Sequence, residues 1–202
     1  MQNLHQIGRQ EIAQAGLVLT NAFQNDPVFN AIFEGATHQQ RFAFYSANVQ
    51  YALKFGQVWA SSSTLEGVAA WVPGKSASMN LLRLIFSGAF FTGLKMGKNV
   101  SRRMAMVFKP IDCDREAHML GRDYTFLQLI GVAARYQGQG FGKQLLQAVI
   151  DESETFGLPI YLETETEENV SIYEHFGFTV IDKVMLSFID LPMWEMLREP
   201  MG

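Results

Sequence analysis

The sequence predicts a single α/β domain. Its second half alternates apolar runs rich in β-formers with amphipathic runs at helical spacing, in the order strand, helix, strand, helix, strand. Its first half is mostly helical around one hairpin. The length of 202 residues fits one domain over 1–202, with at most a helical insertion at about 76–120.

The elements follow in order. Ile12, Ala15, Leu17, Leu19, Ala22 and Phe23 recur at helical spacing, so a helix is expected over 11–23, stopped by the turn signal Asn25-Asp26-Pro27. A second helix, rich in Phe and Tyr, is expected from Thr37 to Lys54 and ends at Gly56. Segments 57–62 and 65–72 are short, contain Val, Trp and Thr, and flank a polar turn, which predicts a hairpin closed by Pro73-Gly74. From Ser78 to Val107 the pattern is helical again. Gly88, Gly93 and Gly97 argue for two helices or a kinked one, and Pro110 is expected to start a separate short segment ending near Gly121. Residues 124–132 form a near-continuous apolar run, as in a strand covered on both faces. A glycine-rich turn, a helix over 140–156, a strand over 159–164, a helix over 167–175 and a final strand over 178–188 complete the chain.

Composition narrows the function. The net charge is −4, with no basic excess to bind a phosphate backbone, so nucleic acid is not an expected partner. One cysteine, Cys113, excludes an internal disulfide, and nothing around it suggests a nucleophile. The N-terminus lacks a basic segment followed by an apolar run. The most apolar stretch, 84–94, is too short to span a bilayer. A soluble, cytoplasmic protein is therefore expected. Hydrophobic residues make up 48%, with sixteen Phe and ten Met, against 18% charged. That surplus fits an aromatic core, an apolar substrate channel or a homodimer interface.

The segment that carries chemistry is Arg135-Tyr136-Gln137-Gly138-Gln139-Gly140-Phe141-Gly142-Lys143, between a buried strand and an amphipathic helix. Glycines let a ligand approach the backbone. Successive N–H groups then point into one concavity, and the helix N-terminus adds positive potential, so the turn suits a pyrophosphate. The third glycine follows the second by two residues, which disfavours a dinucleotide fingerprint, and no Gly-Lys-Ser/Thr occurs. A tight turn without a ligand remains the plain alternative.

This turn resembles that of the GNAT acetyltransferases, which carry Gln/Arg-x-x-Gly-x-Gly/Ala at the start of the helix after their fourth strand. Both Gln137 to Gly142 and Arg135 to Gly140 fit. The later register puts Gly142 in the first helical turn, where a side chain would block the phosphates. Downstream, Asn169, Tyr173 and Gly177-Phe178 occur at the family's spacing. Gly67-Val68-Ala69-Ala70-Trp71-Val72-Pro73 resembles a subset that includes puromycin N-acetyltransferase. The resemblance implies a mixed, mostly antiparallel sheet with a splayed central strand pair and flanking helices. It implies acetyl-CoA as acyl donor and an amine acceptor shaped by the insertion at 76–120.

Residue roles follow from the same resemblance. The backbone of Leu129, Ile130, Gly131 and Val132 would pair with the pantetheine arm, and the amide of Ile130 or a neighbour would polarise the thioester carbonyl. Gln137, Gly138, Gln139, Gly140, Phe141, Gly142 and Lys143 would hold the diphosphate, and Asn169 would bind the pantetheine or orient its helix. Tyr173 would protonate the leaving thiolate. It shares a helical face with Asn169. Glu163 sits near the end of an otherwise apolar strand, where burial would raise its pKa, so it is a candidate base or amine ligand. Its alternative is a salt-bridged strand end. Asp26 is a second amine-binding candidate, with a turn or cap role as its alternative. His118 and His175 read as structural or exposed, and no ligand spacing suggests a metal. A non-catalytic acyl-CoA-binding module, a nucleotide binder, and a peptide or protein acetyltransferase remain rival readings.

Overall fold

The computed structural model describes residues 4–201. Strands β1 (His5–Gln6), β2 (Gln57–Ala60), β3 (Gly67–Pro73), β4 (Thr125–Val132), β5 (Ile160–Thr164), β6 (Thr179–Leu186) and β7 (Leu191–Arg198) form one sheet in the order β1-β2-β3-β4-β5-β7-β6. Only β4 and β5 run parallel. Every other neighbouring pair is antiparallel. The helices are α1 (Ile12–Ala22), α2 (Pro27–Ile32), α3 (His38–Phe55), α4 (Leu81–Ser87), α5 (Ala89–Gly93), α6 (Gly97–His118), α7 (Phe141–Phe156) and α8 (Glu167–His175).

Alternation along the strands splits the core in two. On β3, Val68, Ala70 and Val72 face the cluster built with α1, α2, α3 and the 81–118 helices. Ala69 and Trp71 face the opposite cluster, with Leu145, Leu146 and Val149 of α7 and Phe178. Trp71 donates its indole N–H to Glu152 of α7 at 2.8 Å. Much of the aromatic surplus is packed together: Phe29 lies 5.3–6.3 Å from the rings of Phe23, Phe33, Phe44, Tyr45 and Phe108. Leu81, Leu82, Phe86, Phe91 and Leu94 remain exposed on α4, α5 and the turn that follows.

Three expectations change. Asn25-Asp26-Pro27 does end α1, but it also starts α2, a helix the periodicity did not show. The Asp26 carboxylate accepts the Phe29 N–H at 2.7 Å and Pro27 occupies the first helical position. Pro110 does not start a new segment, because α6 runs through it. Pro110 and Met106, whose carbonyl loses its N–H partner, are both solvent-facing, while Val107, Ile111 and Arg115 bury the opposite face. Finally, the expected last strand is followed by another, β7, which inserts between β5 and β6. Its Pro192, Glu195 and Arg198 break the apolar pattern. The sheet can bury Arg198 because its guanidinium meets Glu154 at 2.7 Å.

Two features set up the site. β4 and β5 pair only at Thr125↔Ile160 and Phe126↔Tyr161 and then part. A register shift between Ala70 and Trp71 of β3 leaves Gln128 of β4 without an opposite residue, a β-bulge.

Candidate active site

Beyond Phe126, β4 pairs with β3 alone, and beyond Tyr161, β5 pairs with β7 alone. Leu129, Ile130, Gly131 and Val132 therefore present one free backbone edge into the gap. Gly131 has a packing reason as well, since a Cβ there would lie 2.8 Å from Ala22 Cβ and 3.0 Å from the Phe23 ring of the α1 end.

The glycine turn lies at the end of this edge. Gly138 and Gly140 have φ of +75° and +86°, which favour glycine. Among the described residues, the backbone N–H groups from Gly138 to Lys143 donate to no protein acceptor. The first amide of α7 with a partner is that of Gln144, to Gly140. Gly142 has neither a positive φ nor a crowded site, because a Cβ would sit 3.6 Å from Val132, at ordinary contact. Nothing in the protein's own packing requires glycine there, so the open space above it is what the residue preserves. Gln137 steadies the turn by donating its amide to the Val132 carbonyl at 3.1 Å, and Gln139 does so to Arg135 at 3.3 Å. Phe141 packs edge-on against Tyr136. Lys143 is exposed and makes no ion pair among the described residues. The turn thus fits a diphosphate: free donors, a helix N-terminus and one unpaired cation.

Asn169 and Tyr173 stand on one face of α8. Thr166 caps that helix by accepting the Asn169 N–H. Tyr173 packs edge-on to Phe178, beside the cluster that contains Leu127 and Ile130. Its hydroxyl makes no hydrogen bond to the described residues. Burial first, and the Glu165 carboxylate second, hold that hydroxyl above the ordinary phenol range, so it keeps its proton at neutral pH.

The sequence-derived carboxylates fall into two separate networks. Glu163 accepts from the buried Arg115 guanidinium at 2.6 Å, and Arg115 also pairs with Asp112. Burial pushes the Glu163 carboxyl up to about 7 against the pull of Arg115. Asp26 instead lies beside Glu165, just past β5, which the sequence reading missed. Burial and the neighbouring Asp26 carboxyl raise Glu165 well above the usual carboxylate range. The buried Tyr45 hydroxyl, without a partner, adjoins the same pair. The signal for Glu165 was weak: a polar residue after a strand is ordinary, and only the fold brings Asp26 to it.

On the face opposite α7, the parted strands open into a cavity of about 780 Å³. Phe44, Met79, Leu84, Phe90, Met104 and Phe108 give it an apolar wall, and Phe126, Gln128, Leu129 and Glu163 form its floor. Gln128 donates to Asn48 at 2.5 Å, but its carbonyl oxygen is buried without a partner, as is Arg115 Nε.

Comparison with known proteins agrees with this geometry. The acetyltransferase (GNAT) family profile matches residues 104–178. An uncharacterized N-acetyltransferase of Schizosaccharomyces pombe is 27% identical over 201 residues, covering 95% of this chain and 81% of its own. Among solved structures, a histone acetyltransferase HPA2 and related acetyltransferase from Corynebacterium glutamicum superposes with a TM-score of 0.67 at 17% identity, covering 99% of this chain and 97% of its own. A putative arylalkylamine N-acetyltransferase 7 of the yellow fever mosquito superposes with a TM-score of 0.70 at 12% identity, covering 97% and 86%. At such identities the structural matches speak for the fold alone. With the sequence match and the motif that the fold sets beside the open strand edge, residues 104–178 form a region similar to the GNAT acetyltransferase family, and the chain is an N-acetyltransferase.

Proposed function

We propose that the chain moves an acetyl group from acetyl-CoA to the primary amine of a small molecule, directly and in a ternary complex. The observation that carries this reading is the cavity of about 780 Å³, whose floor includes both the unpaired β4 edge and the Glu163 carboxyl. Bound acetyl-CoA would supply a thioester carbon for the amine to attack, with a thiolate as leaving group.

The chain's own residues supply the rest. The free amides from Gly138 to Lys143 hold a diphosphate, and the β4 edge orients an extended amide arm as an added strand would. A β4 amide near Ile130 donates to the carbonyl oxygen as charge builds there. Tyr173, kept protonated by its surroundings, donates to the departing sulfur. Glu163 would take the amine's proton, since a carboxyl pushed up to about 7 is partly ionised at neutral pH. Asp26 and Glu165 form a second acidic pair, suited to attracting the ammonium form of the acceptor. The helices between 76 and 120 roof the cavity and select the acceptor. Their apolar lining supports an amine with a partly apolar body, as does the arylalkylamine in the mosquito protein's name.

The test is turnover. Purified chain with acetyl-CoA and a panel of small amines is expected to release thiol and yield N-acetylated product by mass spectrometry. If CoA raised the melting temperature yet no amine were acetylated, and Tyr173→Phe changed nothing, the chain would be a non-catalytic acyl-CoA binder. Stabilisation by ATP or NAD and not by CoA would instead make it a nucleotide binder.

A further inference from the structure

We infer that His118, Asp182 and Glu195 form a binding site for one zinc-type divalent cation, outside the acyl-transfer cleft. His118 is the last residue of α6, Asp182 follows the register shift in β6, and Glu195 lies on β7. They are far apart in sequence, so no local spacing shows them.

Glu195 carries the inference. Its side chain is 0% exposed, and neither carboxylate oxygen has a close, well-aligned hydrogen-bond donor, Tyr161 and His118 being the polar groups beside it. A buried carboxylate left in this state is costly unless a cation meets it. The nearest basic side chain is His118, whose Nε2 stands 3.3 Å from Glu195 Oε2 and 3.3 Å from Asp182 Oδ2. Close charge-assisted hydrogen bonds run at about 2.7–2.9 Å, so both contacts are long for direct pairing. They do match a coordination polyhedron. With metal–ligand bonds of about 2.0–2.1 Å, the edges of a tetrahedron are roughly 3.3–3.4 Å. All three ligand atoms lie within 4.8 Å of one another.

The surroundings favour a cation too. The carbonyl end of α6 adds negative potential at His118. Asp114 contributes further negative charge near Glu195. Lys183, the neighbouring lysine, is drawn away over the Trp194 ring at 4.3 Å. The buried Tyr161 hydroxyl has no hydrogen-bond partner and adjoins Glu195, so it is available to the carboxylate oxygen that does not face the ion. His118 and Asp182 are 33% and 44% exposed, which leaves a path for an ion and room for a water as fourth ligand.

The site also has a structural consequence. Arg115, one helical turn before His118, pairs with Glu163, and Glu163 is the register partner of Glu195 across β5 and β7. A cation at His118 would fasten the end of α6, a wall of the cavity, to the β6–β7 edge of the sheet.

Full-length, tag-free protein stripped with EDTA and given Zn²⁺ is expected to retain one zinc per chain through gel filtration. Its melting temperature should rise by about 5 °C in excess zinc and not in Mg²⁺. Both effects should vanish in His118→Ala and in Glu195→Gln. Because a variant can lose its fold for other reasons, Co²⁺ added to the unmodified chain gives a second readout, the visible absorption bands of a tetrahedral N/O site. Zinc retention no greater than that of a correctly folded His118→Ala, or no Co²⁺ spectrum, would overturn the site.

Discussion

The glycine turn with α7 and the helices from 81 to 118 lie on opposite sides of the parted strands and are built on opposite principles. The turn works through backbone: left-handed glycines, unused amides and a helix N-terminus, all within a few consecutive residues. The helical side works through side chains from distant segments: Phe44 and Asn48 from α3, Phe108 and Arg115 from α6, Gln128 and Glu163 from the sheet. A donor shared by many enzymes suits the first kind of site, since backbone geometry tolerates sequence change. An acceptor that differs between enzymes suits the second, where each substitution reshapes the wall.

That contrast can be broken by experiment. The largest effect is expected at the turn. Gly142→Glu puts a carboxylate into space the protein itself leaves open, so CoA affinity should fall at least about 100-fold by calorimetry while the melting temperature hardly moves. A comparable loss of stability would show that Gly142 serves packing instead. Next comes Tyr173→Phe, which should lower kcat by about 10²-fold with CoA affinity nearly unchanged. Equal loss of both would make the tyrosine a binding group.

Glu163→Gln should have a smaller effect on rate and a clear one on pH dependence. If Glu163 is the base, kcat/KM climbs with pH through about 7, and the glutamine variant loses that limb. Stability moves the other way. The folded chain keeps the Glu163 proton up to about 7 and the unfolded chain only to about 4.5, so the folded state binds more protons between them. The Glu163 contribution to stability therefore declines as pH rises through that window, and thermal melts of the variant should show a flatter slope. Smallest is the cavity itself. Ala47→Phe, on the α3 wall, should raise KM for bulky amines roughly 10-fold and leave the smallest amines and CoA binding alone. A uniform loss across amines would mean that the acceptor binds elsewhere.

The same contrast explains what the sequence disclosed. The α3 start fell where the sequence placed it, and there Thr37 and Gln40 cap each other within one turn; α8 was legible because Asn169, Tyr173 and Gly177 are close in sequence. The turn's glycine geometry was readable for that reason too. The α2 helix was hidden because Asp26-Pro27 is both a turn signal and a helix start. Strand β7 was hidden because its buried Arg198 meets its partner, Glu154, only in the folded state. The pairing of Glu163 with Arg115, and of Asp26 with Glu165, depends on α6 and α2 arriving at β5 from elsewhere in the chain. Pro110 misled because whether a proline ends a helix depends on which carbonyl it orphans and whether water can reach it.

The strand pair that parts after two rungs leaves an unfinished sheet at the centre of the molecule. Such an edge normally invites pairing with another chain, yet here it is recessed between two cores and out of a neighbour's reach. In the proposed reading, the donor's extended arm would act as the missing strand. Amide exchange along Leu129–Val132 should accordingly slow when CoA is present. The supply of acyl donor in the cell would set how firmly the middle of this protein is held together.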